Sequence, residues 1–182
     1  MREKQGLNEL ISYCKQGNLR YQELLYKQFY GYALGICIRY LNNRDDALEA
    51  ANDSFIKVFK SIGSFNEEND FKPWFRKILV NTSLDHKRKS MRFSEALELT
   101  DTIPQSIHTS VIDKLSAQDI LALMKHLNEL QRTVFNLYEI DGYSHKEISS
   151  MLNIPESSSR TYLTRAKQAL QQLLATHSIY TR

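Results

Sequence analysis

The chain has 182 residues with only 6 Gly and 3 Pro, enough to bury one ordinary core or two small ones and too poor in turn residues for a β-rich architecture. No apolar run approaches the ~20 residues that span a bilayer, and the polar segment from Met1 to Lys15 lacks the apolar centre of a secretory signal, so a soluble, cytoplasmic protein is expected. The net charge of +3 does not by itself imply nucleic acid, but its distribution is uneven: seven Lys or Arg face one acid between Lys72 and Arg92, whereas Arg44 to Asp53 holds four acids and one Arg, as if two kinds of partner were served.

Leu7, Leu10, Ile11 and Cys14 follow the i, i+3, i+4, i+7 spacing of a short amphipathic helix. A second helix is predicted from about Leu19 to Leu41, with Leu25, Phe29, Tyr32, Ala33, Ile36, Cys37 and Tyr40 inward, broken by Asn42-Asn43. A third, about Arg44 to Ile62, turns Ala47, Ala51, Ser54, Phe55, Val58, Phe59 and Ile62 inward, and Gly63 is read as its left-handed cap. After the polar loop Phe65 to Asp70, Pro73 suits the first turn of a helix from about Lys72 to Lys89, whose apolar stripe is Phe75, Ile78, Leu79 and Thr82. Ser90 to Ser110 loses periodicity and reads as a tether, since a structureless stretch of that length is unusual inside one compact domain. Cys14 and Cys37 stand far apart among apolar neighbours and read as buried structural thiols.

Helical spacing returns at Ile120, Leu121, Leu123, Met124 and Leu127, and Leu130, Val134, Leu137 and Tyr138 continue it in a further helix that Asp141-Gly142 stops. Ser144-x-x-Glu147 is a capping box opening a short helix, Asn153 supplies a turn, and Pro155 opens a last helix ending near Leu174. A short capped helix, a tight turn and a helix with a polar N-terminal face describe a helix-turn-helix. Arg160 suits a bidentate contact to guanine; Ser144, Ser158, Ser159 and Thr161 can reach bases or phosphates, and Arg165 and Lys167 suit phosphate. A helical hairpin with a solvated face would share this periodicity, but such a face more often carries Glu and Lys than the weaker helix former serine.

Earlier in the chain, Trp74, Arg76, Lys77, Asn81, Asp85, Lys87 and Arg88 interleave an aromatic, an amide and cations on one helix. That mixture can stack bases and neutralise the phosphates of a single strand, while Asn66 and Asn69 could bond the edge of an extruded base. Trp74 is equally open to a role as a core anchor.

Four motifs in order carry a resemblance to a known family. Asp46-Ala-Leu-Glu49-Ala-Ala-Asn52-Asp53-Ser-Phe55 is similar to the acidic polymerase-docking helix of the sigma-70 family of bacterial RNA polymerase sigma factors, in its extracytoplasmic-function (ECF) group. Phe71-x-x-Trp74-Phe75-x-x-Ile78-x-x-Asn81-x-x-x-Asp85-x-x-Arg88 resembles the family's promoter-melting helix. Leu127-x-Glu129-Leu130-Gln131-Arg132 with Gly142-Tyr-Ser144-x-x-Glu147 resembles the start of its C-terminal domain, and Ser158-x-Arg160-Thr161-x-Leu163-x-Arg165-Ala166 its recognition helix.

The resemblance implies an all-α chain of two small helical domains joined by a flexible linker. Residues 1–89 correspond to the region 2 domain, 90–112 to the linker and 113–182 to the helix-turn-helix region 4 domain. It implies that Asp46, Glu49, Asn52 and Asp53 face the clamp helices of the polymerase largest subunit. Phe65, Asn66 and Asn69 would take a flipped base of the −10 element, the helix from Trp74 to Arg88 would hold the melted strand, and the C-terminal domain would read the −35 element. The implied partners are RNA polymerase core, promoter DNA and an anti-sigma factor, with no cofactor, metal or small-molecule substrate. Ala50 and Ala51 stand where the family has larger aliphatics and Asn52 where it has Gln; Ser157 and Ser159 replace a usual Gly and an apolar residue. The competing reading is a free-standing helix-turn-helix regulator, which has no need of an acidic helix followed by an aromatic-cationic one. An enzyme finds little support, because the five His and scattered acids form no triad, phosphate loop or metal spacing.

Overall fold

A computed structural model describes residues 2–41, 43–97 and 123–179. Among these residues the regular structure is helical throughout. The chain divides into two compact units, Met1–Thr100 and Asp101–Arg182.

The N-terminal unit contains α1 (Arg2–Lys15), α2 (Leu19–Tyr40), α3 (Arg44–Ser61) and α4 (Phe71–Leu97). Asparagine opens two of them: the Asn18 carboxamide accepts from the Arg20 amide at 3.1 Å, and that of Asn43 from Asp45 at 2.7 Å. Asp45 and Asp46 then occupy the first turn of α3, where the helix dipole favours negative charge. Helices α2, α3 and α4 pack against one another, and α1 lies on α2. Their core is aromatic: Phe75 lies 5.0 Å from Phe55 and 5.5 Å from Phe71 between ring centroids, and Phe71 meets Phe29 at 5.0 Å. Cys14 and Cys37 are buried thiols, and burial pushes Cys14 up to about 11.

Two expectations change here. Gly63 lies within a short 3-10 turn, Ile62–Ser64, and is not among the residues of positive φ, so the chain leaves α3 by tightening rather than through a left-handed cap. Helix α4 runs on to Leu97, past the expected end near Lys89, so any tether begins later than Ser90. The rest of the expected linker, and Ile120 and Leu121, lie outside the described residues.

The C-terminal unit contains α5 (Glu129–Phe135), a π-helical turn (Asn136–Ile140), α6 (His145–Leu152) and α7 (Glu156–Ile179). Gly142, at φ +78°, reverses the chain after the π turn. Ser144 caps α6 with a capping box: its hydroxyl accepts from the Glu147 amide at 3.3 Å, and the Glu147 carboxylate accepts from the Ser144 amide at 2.8 Å. Asn153 takes the left-handed conformation, φ 53° and ψ 47°, and makes the tight turn between α6 and α7. Leu127, Val134, Leu137, Ile148, Leu163 and Ala166 form the small core beneath.

Candidate nucleic-acid interface

On α4, Trp74, Lys77, Asn81, Asp85 and Arg88 recur at steps of three or four residues, which sets them in one longitudinal stripe. Lys77, Asn81 and Arg88 are exposed. Trp74 is half-buried, its ring anchored 5.0 Å from Phe65 and 5.6 Å from Phe71, so it is both a core anchor and a surface aromatic. Asp85 is bracketed by cations, with Arg88 Nη1 at 2.8 Å and Lys57 Nζ of α3 at 3.5 Å. Lys57 also donates to Thr82 Oγ1 at 3.0 Å. A cleft of about 380 Å³ opens between α3 and α4 at this point, and Lys89 also lines it.

Several expected contacts fall elsewhere. Arg76 leaves the stripe, and its Nε donates to the Tyr32 hydroxyl of α2 at 3.2 Å. Lys87 is 8% exposed on the inward side of α4, too covered to lie along a strand. Phe65 is 4% exposed and supports Trp74 rather than meeting a base. Asn66 spends its carboxamide within the loop: its oxygen accepts from the Glu68 amide at 3.0 Å and its nitrogen donates to the Glu68 carboxylate at 3.3 Å. Of the two loop amides expected to read a base, Asn69 is exposed and has no such bond to the loop's carboxylates in the described contacts.

On α3, Asp46, Glu49 and Asp53 share a face, with Glu49 and Asn52 exposed. Ala47, Ala50 and Ala51 are fully buried, Ala51 on the far side of the helix and Ala50 at the buried edge of the acidic face. The two alanines that depart from the family pattern are therefore core positions. Asn52 accepts from the Tyr26 hydroxyl at 3.1 Å. Asp53 meets His86 Nε2 of α4 at 2.8 Å, so it ties α3 to α4 as well as contributing charge. Sequence reasoning missed Lys57 and His86, because cross-helix partners leave no periodic signal.

In the C-terminal unit the exposed face of α7 carries Ser157, Arg160, Thr161, Thr164 and Gln168, with Arg165 and Lys167 beside it. Thr164, the i+4 neighbour of Arg160, carries no mark in the sequence that separates it from a solvated helix position. Arg160 pairs with Glu156 one turn earlier and stays exposed. Lys167 reaches Glu139 of the π turn at 2.7 Å. Ser158 is half-buried. Ser159 is wholly buried, its hydroxyl 2.9 Å from His145 Nδ1, which removes it from any base-reading face. The His145 ring stacks on Tyr138 with centroids 4.4 Å apart. The Ser144 hydroxyl is committed to the α6 cap, which makes it a structural group first.

The two units match one family in order. A profile described as Sigma-70 region 2 matches residues 25–93, and one described as Sigma-70, region 4 matches residues 117–170. The chain belongs to the sigma-70 family. This sigma factor is 22% identical over 191 residues to the RNA polymerase sigma-H factor of Pseudomonas aeruginosa, a match covering 91% of this chain and 92% of that one. It is 26% identical over 174 residues to the ECF RNA polymerase sigma-E factor of Haemophilus influenzae, covering 89% and 92%. Such relatives set it in the ECF group. In fold it is similar to a solved sigma factor, RpoE, in complex with the anti-sigma factor NepR from Bartonella quintana, with a TM-score of 0.57 and 21% identity over 84% of this chain and 96% of that one. Region 2 thus takes in α3, its acidic face and the matched part of α4, and region 4 ends within α7. Among the described residues, no group of His, Cys, Asp and Glu could hold a metal ion, and no helix is long and apolar enough to cross a membrane.

Proposed function

We infer that this sigma factor joins RNA polymerase core through the acidic face of α3 and directs promoter-specific initiation in the cytoplasm, with no catalysis of its own. The N-terminal unit acts on the −10 element: Asn69 takes an extruded base, while the Trp74, Lys77, Asn81 and Arg88 stripe holds the opened strand by stacking and phosphate neutralisation. The C-terminal unit reads the −35 element as duplex through Arg160, Thr161 and Thr164, with Arg165 and Lys167 on phosphate. The observation that carries this reading is the pairing, within one unit, of an acidic exposed face on α3 with an aromatic-cationic stripe on α4. A factor that finds its own operator needs only the helix-turn-helix.

An anti-sigma protein belongs to the proposal, since the solved relative was captured with one. The test is selection of random duplex by holoenzyme reconstituted with core. Two separated sequence elements, one unwound and one double-stranded, are expected. A single element bound equally well without core contradicts the proposal.

A further inference from the structure

The region 2 match begins at residue 25, so α1 stands outside it. Yet α1 is fixed firmly to the unit. Ile11 is wholly buried and Cys14 is 1% exposed, and Tyr13 stacks on Tyr21 of α2 with centroids 4.2 Å apart. This anchoring sets the last residue of α1, Lys15, beside the Phe65–Asp70 loop. Its Nζ donates to the Phe65 carbonyl at 2.9 Å and to Glu67 Oε1 at 2.7 Å, with the Lys15 side chain only 25% exposed.

The loop is therefore held from three directions. The Phe65 ring is seated on Phe71 and Trp74, the Asn66 side chain closes a turn onto the Glu68 amide, and the Lys15 ammonium bridges backbone and carboxylate from outside. Asn69 follows directly, with its amide bonded to the Asn66 carbonyl at 3.1 Å. Its position is thus set by the same turn. A loop fixed before binding loses less freedom on binding.

We propose that Lys15 is a positioning residue for base capture, holding the Phe65–Asp70 loop in its binding shape before DNA arrives. The inference rests on the proposed function, which gives this loop the extruded base.

The test compares wild type with Lys15→Met, Lys15→Arg and the double variant Lys15→Met with Glu67→Gln. Trp74 is the one tryptophan of the chain. Acrylamide quenching of its emission in the free protein therefore reports how well the Phe65 platform is held, and Lys15→Met should raise it. In holoenzyme, on duplex selected by the wild type, Lys15→Met should cut discrimination among single-base changes in the unwound element roughly two- to fivefold, as expected for a partly exposed charged contact. Core affinity and selectivity at the double-stranded element should stay at wild-type values, and Lys15→Arg should retain most of the discrimination. Positioning predicts that the double variant stays low; recovery there would reduce Lys15 to a screen for the Glu67 charge and overturn the proposal. Should Lys15→Met fail to fold, Glu67→Ala keeps the Phe65 contact and must show a partial loss; wild-type discrimination in that variant contradicts the proposal. If the wild type shows no preference in an unwound element, the functional reading itself fails. If it does and Lys15→Met matches it, only the role of Lys15 is lost.

Discussion

Ser159 and Arg160 are neighbours in sequence with opposite fates. The helix turns one into the core and the other to the surface, and that single step separates a packing residue from the one proposed to read a base. Ser159→Ala should cost about 0.5–1.5 kcal/mol in urea unfolding, the net worth of an ordinary buried hydrogen bond, and leave −35 preference unchanged. Arg160→Ala should do the reverse, losing roughly 1–3 kcal/mol of holoenzyme binding and relaxing specificity at one base pair, with little change in stability. His145, which holds the Ser159 hydroxyl, is lowered from its ordinary 6.5 chiefly by burial, with Arg160 adding to the effect and Glu156 opposing it. The unfolded chain then takes up this proton first as pH falls. The His145 contribution to stability is therefore full above about 6.5 and is lost below it until the folded imidazole is itself protonated. Thermal unfolding at pH of about 7.5 and 5.5 should show a smaller acid loss in His145→Gln than in wild type.

At the scale of elements, α3 divides into an acidic side, proposed to dock core polymerase, and a buried one. Asp46 and Glu49 can be reversed without touching the core, whereas Ala50 and Ala51 cannot be enlarged without disturbing it. Asp46→Lys with Glu49→Lys should weaken core association tenfold or more, about 1.4 kcal/mol at least, while the melting transition stays near wild type. Ala51→Leu, which moves the position toward the larger aliphatic usual in the family, should destabilise the protein by about 1–3 kcal/mol in urea unfolding, because the facing helices leave it no exposed surface. Asp53 is a poorer probe of docking than its charge suggests, since its bond to His86 makes it a strut between α3 and α4. Periodicity exposed these helices well: the α2 inward set apart from the half-buried Tyr32, the capping box at Ser144 and the turn at Asn153 all stand where spacing and residue chemistry put them. It could not show the π turn at Asn136–Ile140, which adds one residue to a turn without any composition of its own. Nor could it stop α4 correctly, because Ser90 to Leu97 continues the helix without a strong apolar stripe to announce it.

For the whole molecule, the order of motifs carried more than any one of them. An acidic helix, an aromatic-cationic helix and a helix-turn-helix each have bland explanations, but their succession matches the order of regions 2 and 4 along the chain. What the sequence left hidden in the site was mostly burial. Phe65 and Ser159 are types that serve DNA contact or core, Lys87 is a cation whose type argues for the surface, and only the packed helices show that all three are covered. Lys15 and Lys57 were invisible for a related reason: their partners lie 52 and 28 residues away, beyond any local pattern. The proposed division of labour between units predicts that neither grips DNA strongly without the polymerase, in keeping with a net charge of only +3. The most direct measurement is unwinding of a selected promoter duplex, followed by fluorescence of 2-aminopurine in its −10 element, with this protein alone, with core alone and with both. A signal only when both are present is the predicted result; tight sequence-specific binding by the protein alone, unchanged by core, would contradict it.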